Sequence, residues 1–265
     1  MAALVVALLV TCAGAQRAGS VENGSDARPS TAPFAAFLVI GTEATCSGAL
    51  VSPQWVMTAA HCLWNDRGRL VRPESVGVLV GSTNKYDYDV PAARRSVTKV
   101  VIRGQGPLNV DQLEPDDIGM VKLRRPVRLT ASSFPIEMNA SAVLPRVNRR
   151  VHVAGWGVNR AGSDQGVLQH GTVRVLDSRR CRDATQGFNS TTALCAVGRG
   201  RPTTATCCGD SGGPLYTHVG LRTVLLGVTS GSGDDGSPCS SAAYPGVFTR
   251  VSNYEPWARF LIQFG

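Results

Sequence analysis

The chain has 265 residues, 43% of them hydrophobic and 17% charged, with a formal net charge of +8. That length supports one large domain or two small ones burying roughly 70–75% of the unfolded surface. The composition excludes a disordered chain, a fibrous repeat and a multi-helix membrane protein, because the apolar run nearest membrane quality lies at the extreme N-terminus.

That run, residues 2–15, ends in Ala13-Gly14-Ala15 before the sequence turns polar at Gln16-Arg17. A short apolar stretch closed by small residues predicts a secretory signal peptide cleaved after Ala15, although no Lys or Arg precedes it. Residues 16–20 then read as a short propeptide.

Short runs rich in Val, Leu, Ile and Thr follow at 36–40, 49–52, 55–58, 76–80, 97–102, 118–123, 150–154, 171–176, 193–197, 223–229 and 246–251. Gly, Pro, Asn, Asp and Ser separate them, which predicts an all-β sandwich or barrel. Residues 129–146 carry no strong pattern and read as a link between two halves. No internal sequence repeat is evident. One helix is expected, over 252–264, with Ser252 as its cap and Trp257, Phe260, Leu261 and Phe264 docking at 3.6-residue spacing. Two β-barrels, about 21–125 and 140–250, with that C-terminal helix form the simplest architecture.

Of eight cysteines, Cys12 leaves with the signal peptide and seven remain, an odd number. An oxidising compartment favours disulfides, and no CxxC spacing suggests zinc. Three N-x-S/T sequons begin at Asn23, Asn139 and Asn189, consistent with a glycoprotein. Arginines cluster at Arg94-Arg95, Arg124-Arg125, Arg149-Arg150 and Arg179-Arg180 with Arg182. Such a surface can hold polyanions, but without interleaved aromatics it reads first as a solvated face.

Three separated segments carry complementary chemistry: Thr58-Ala59-Ala60-His61-Cys62, Asp116-Asp117-Ile118-Gly119-Met120-Val121-Lys122-Leu123, and Gly209-Asp210-Ser211-Gly212-Gly213-Pro214-Leu215. A serine hydroxyl needs a base, imidazole titrates near neutrality, and a buried carboxylate can fix its tautomer. Glycines around the serine let backbone N–H groups converge on a developing oxyanion.

These segments, in the order His, Asp, Ser, resemble the trypsin/chymotrypsin/elastase family of serine endopeptidases, and the resemblance extends over about 21–265. Ala154-Gly155-Trp156-Gly157 and Pro245-Gly246-Val247-Phe248-Thr249 add to it. It implies two packed antiparallel Greek-key β-barrels. It also implies Ser211 as nucleophile, His61 as base then acid, and Asp117 as the orienting carboxylate, preferred over Asp116 because it directly precedes Ile118. The N–H groups of Gly209 and Ser211 would form the oxyanion hole. His152, His170 and His218 have no matching context and read as surface or core residues.

The resemblance pairs Cys46 with Cys62, Cys181 with Cys195 and Cys207 with Cys239. Cys208 is left as a free thiol beside the specificity pocket, open to capping by glutathione or thiol reagents; the competing reading is a small buried apolar residue. The pocket floor would be Ala205, six positions before Ser211, with Gly246, Ser230 and Ser232 on its walls. A neutral slot rewards apolar side chains by about 1.5–3 kcal/mol and disfavours charged ones. Cleavage after medium-sized apolar residues is therefore expected, with Asp234 and Asp235 as carboxylates in a lengthened neighbouring loop.

The expected mature start is Val21, whose ammonium would pair with Asp210. Ser20 precedes it and the nearest basic residue is Arg17, so a trypsin-like activator would leave extra residues to be trimmed. No pair of glutamates fits the family's calcium loop around 81–90, and the chemistry requires neither metal nor other cofactor. The expected partners are protein or peptide substrates, protein protease inhibitors and polyanions, for a monomer without a membrane span. The alternative is a catalytically silent cationic binding or antimicrobial protein on the same fold. A thiol-linked oligomer rests on Cys208 alone.

Overall fold

The computed structural model describes residues 21–42, 44–65, 67–89, 93–104, 116–157, 166–198, 204–232 and 239–265. The expected signal peptide, propeptide, Cys12, Asp234 and Asp235 lie outside the described residues. In chain order the strands are β1 (Ser25–Asp26), β2 (Ala35–Ile40), β3 (Ala44–Ser52), β4 (Trp55–Thr58), β5 (Val76–Val80), β6 (Arg94–Ile102) and β7 (Gly119–Leu123). There follow β8 (Glu137–Met138), β9 (Arg150–Gly155), β10 (Gln169–Val175), helix α1 (Ser178–Ala184) and β11 (Ala193–Gly198). The chain ends with β12 (Pro214–Val219), β13 (Arg222–Ser232), β14 (Gly246–Arg250) and helix α2 (Val251–Phe264).

Strands β2-β3-β4-β7-β6-β5 close into one barrel, and β9-β10-β11-β14-β13-β12 close into a second through the β9–β10 and β9–β12 ladders. Within each, four successive strands take the spatial order 4-1-2-3 of a Greek key. The second ring repeats the first with every strand number raised by seven, a repeat of topology that the sequence does not display. Closure leaves neither barrel with an unpaired edge.

Buried apolar side chains of both barrels form the core. Leu38, Leu50, Met57, Val78, Met120 and Leu123 are fully buried in the first, and Val151, Val153, Leu215, Leu226 and Phe248 in the second. Phe34 packs edge-on against Tyr216 at 5.0 Å, joining the two bodies.

The structure departs from these expectations in its smaller elements and in the last helix. Strands β1, β8 and β12 and helix α1 were not read from the sequence. Residues 214–219 alternate poorly and open with a proline, which strands accept at their first position. In α1, Asp177 caps the backbone N–H of Arg180. The C-terminal helix starts at Val251 with Arg250 at its cap, so Ser252 lies inside it. Its buried stripe is Val251, Tyr254, Ala258 and Leu261, whereas Phe260 and Phe264 are 61% and 66% exposed and face each other at 5.1 Å. The buried tyrosine has a polar partner described below. No described helix is long and apolar enough to cross a membrane.

Candidate active site

Neighbouring strands deliver His61 and Asp117. In the β4–β7 ladder Thr58 lies opposite Gly119, so the residues leaving β4 run alongside those entering β7. His61 begins a single 3-10 turn just beyond Thr58, and Asp117 lies two residues before Gly119. The imidazole Nδ1 meets Asp117 Oδ2 at 2.9 Å, and the His61 backbone N–H donates to Oδ1 of the same carboxylate at 2.9 Å.

Asp117 is 3% exposed. Burial alone would push its carboxyl up, but the His61 charge, the hydrogen bonds from His61 and one from Ser230 outweigh it and hold the carboxyl below its ordinary value. For His61 burial pulls the pKa down, and the charge and hydrogen bond of Asp117 more than reverse that, so the imidazole stands above its ordinary value. The ring thus lies ready to take a proton, with its Nδ1 side fixed by the carboxylate.

Ser211 comes from the second barrel, just ahead of β12. Its carbonyl accepts from Ser47 N at 2.7 Å, Ser47 Oγ donates to the Gly209 carbonyl at 3.0 Å, and Thr58 Oγ1 donates to the Ser47 carbonyl at 2.8 Å. These bonds tie the serine loop to strands β3 and β4 of the first barrel. Gly212 has φ +80°, and a Cβ there would run into Thr58 Oγ1 and the Ser47 carbonyl, so only glycine brings the loop this close to the histidine segment. Gly209 has φ +91° and lies against Gly157. Among the described residues no backbone acceptor takes the N–H of Gly209 or Ser211.

Asp210 is 1% exposed, and its carboxylate accepts from Gly157 N and Cys207 N, each at 2.9 Å. Burial outweighs both donors and pushes its carboxyl up to about 7. Val21 is buried in the core of the second barrel, and Glu22 pairs through both backbone groups with Ala205.

Around the expected pocket, Ala205 is 3% exposed beside Cys207 and Cys239. A Cβ on Gly246 would meet Thr206 Oγ1 at 2.8 Å, and Thr206 Oγ1 in turn meets Ser240 Oγ at 3.3 Å. At Gly231 an added Cβ would meet nothing within 4 Å, so the space beside it is open among the described residues. Ser232 lies opposite Gly246 in the β13–β14 ladder.

Ser230, expected on the pocket wall, donates its hydroxyl to Asp117 Oδ2 at 2.6 Å. It falls at the register shift between Thr229 and Gly231, and a bulge of this kind re-aims a side chain. Three further residues were not singled out from the sequence. Thr249 Oγ1 donates to the Asp117 carbonyl at 2.7 Å. Tyr254 donates to Asp116 Oδ1 at 2.6 Å and accepts from Asp116 N, fixing a left-handed Asp116 at φ +74°. Glu22 lies within 4.8 Å of the Cys207 and Cys239 sulfurs.

The structure pairs Cys46 with Cys62, Cys181 with Cys195, and Cys207 with Cys239. Cys208 is disulfide-bonded, and no free cysteine occurs among the described residues. The expected free thiol is therefore corrected. Two groups of three metal-ligand side chains cluster among the described residues, Cys46/His61/Cys62 and Glu22/Cys207/Cys239, and in each the two sulfurs are joined to one another. Disulfide sulfur is not the thiolate a metal needs.

Comparison with known proteins agrees with this geometry. The family model described as Trypsin matches residues 21–258. A cathepsin G of Mus musculus is 30% identical over 246 residues, covering 91% of this chain and 85% of the relative. Two closed Greek-key barrels, a buried His–Asp pair on the first and a glycine-flanked serine sewn to it from the second thus converge with both matches, and the chain belongs to the trypsin family of serine endopeptidases.

Proposed function

We propose that this endopeptidase is secreted and cleaves peptide bonds after apolar residues, with Ser211 as nucleophile, His61 as base then acid, and Asp117 as the orienting carboxylate. The observation that carries the reading is the His61–Asp117 contact at 2.9 Å on a segment against which Gly212 packs. Ser211 Oγ attacks the substrate carbonyl as its proton passes to His61. The N–H groups of Gly209 and Ser211 receive the oxyanion, each contributing on the order of 10²–10³ in rate. His61 then protonates the leaving amine, and water, deprotonated by the same imidazole, releases the acyl group. Asp117 stays ionised throughout, which its lowered pKa supports.

The preference for apolar side chains follows from a floor at Ala205 with Thr206, Ser240 and Gly246 beside it, all uncharged. The open wall at Gly231 offers no aromatic shelf for the residue before the cleaved bond. Processing at Val21 would place its ammonium against the Asp210 carboxylate, order the oxyanion loop and complete the pocket. The apolar leader and the disulfides support secretion.

Digestion of a peptide library by protein beginning at Val21, with Ser211→Ala in parallel, tests the reading. Cuts after Val, Leu, Met or Phe that vanish in the variant are expected. Preferential cuts after Arg or Lys would overturn the pocket assignment, and activity surviving in Ser211→Ala would overturn the nucleophile.

A further inference from the structure

The chain contains four histidines, and the three outside the active site lie on adjacent strands of the second barrel. In the ladders around β9, His152 lies opposite Tyr216 of β12 on one side and Thr172 of β10 on the other. Side chains two residues apart on a strand share a face, so His218, His152 and His170 form a diagonal across β12, β9 and β10. The His152 and His218 rings approach to 5.5 Å between centroids. His170 stands at the far end of that diagonal, on the other side of His152 from His218.

Each ring of the close pair has a hydroxyl on the same nitrogen. Thr172 Oγ1 meets His152 Nδ1 at 3.3 Å, and Thr223 Oγ1 meets His218 Nδ1 at 3.1 Å. Holding Nδ1 leaves Nε2 of each ring to act as a ligand, the arrangement that orients histidines around metals. Two imidazoles bound to one tetrahedral ion, with metal–nitrogen bonds of about 2.0–2.1 Å, have centroids about 5 Å apart, close to the spacing seen.

We propose that His152 and His218 form an open binding site for a divalent transition-metal ion of the zinc or copper class. Imidazole is a borderline-soft donor suited to such ions and poor for calcium or magnesium. Binding takes both rings in their neutral form. Water completes the coordination on the solvent side, where His218 is exposed. The ion ties β9 to β12. The first leads on to Gly157, which holds Asp210, and the second follows directly from the Ser211 loop.

Zinc titration by calorimetry, on full chain carrying Ser211→Ala and stripped with chelator, tests the site. One ion per chain is expected, with binding at least tenfold weaker in His152→Gln and in His218→Gln and unchanged in His170→Ala and His61→Ala. Thr223→Val keeps both rings and should weaken binding by about tenfold through loss of the orienting hydroxyl. Zinc should raise the melting temperature of the parent but of neither glutamine variant, which also reports whether those variants fold. Absence of binding, binding unchanged in both glutamine variants, or binding lost in His61→Ala, which would place the ion in the active site, each overturns the proposal.

Discussion

The hydroxyl of Ser230 stands 2.6 Å from Asp117 Oδ2, the same oxygen that meets His61 Nδ1 at 2.9 Å. One carboxylate oxygen thus serves a residue from each barrel, and its charge is shared between them. Ser230→Ala leaves that charge to the imidazole alone. We expect kcat/KM to fall about tenfold, the loss of one charge-assisted hydrogen bond. The acid limb of the pH profile should move to higher pH, because a less satisfied Asp117 raises the His61 pKa further. A fall in rate without that displacement would mean that Ser230 acts on substrate rather than through Asp117.

Asp210 predicts a pH dependence of stability that differs between precursor and mature chain. In the chain that continues ahead of Val21, burial raises its carboxyl from 3.8 to about 7. A carboxyl raised on folding contributes stability that is complete below its unfolded value and lost as pH climbs through the folded one. The loss between pH 4 and pH 7 is on the order of 4 kcal/mol. In a chain beginning at Val21 the new ammonium keeps Asp210 ionised, and this loss should disappear. Urea unfolding of Ser211→Ala protein in both lengths, from pH 4 to pH 8, measures the difference. Parallel curves would remove the Val21–Asp210 pairing.

The pocket floor can be recharged. Ala205→Asp places a carboxylate beside Cys207 and Cys239 in a buried position without a cation. Burying an unpaired charge is costly, so turnover after Leu or Phe should drop at least about tenfold, and slow cleavage after Arg or Lys should appear. Unchanged selectivity on a peptide library would show that Ala205 does not face the substrate side chain.

The three sequons separate by environment. Asn139 is 3% exposed and its amide donates to the carbonyls of Ser141 and Leu144, so a glycan has no access to it. Asn189 is exposed, and its Oδ1 accepts from Thr191 N at 2.9 Å in an open turn. Protein from a eukaryotic secretion host should carry a glycan at Asn189 and none at Asn139, as read by peptide mass spectrometry after deglycosylation. An occupied Asn139 would contradict the buried amide.

Much of this was legible beforehand. The segments around His61, Asp117 and Ser211 carry residue types that a serine nucleophile needs, and the apolar runs at 55–58 and 76–80 match β4 and β5 without adjustment. Failures occur where a long-range partner overrides local pattern. The bond from Ser230 to Asp117 was not read from the sequence, because a bulge cannot be seen without the partner strand. Tyr254 lies on the buried face of α2, where its hydroxyl binds Asp116, 138 positions away in sequence.

By itself, the sequence determined the residue types around His61, Asp117 and Ser211, the all-β class and the glycines at 209 and 212, since these depend on residue type and on local backbone freedom. Only the tertiary structure decided which side chains share the Asp117 carboxylate, which face of the last helix is buried, and that three histidines meet on one sheet. Those outcomes depend on strand register and barrel closure, set by contacts between residues far apart in the chain.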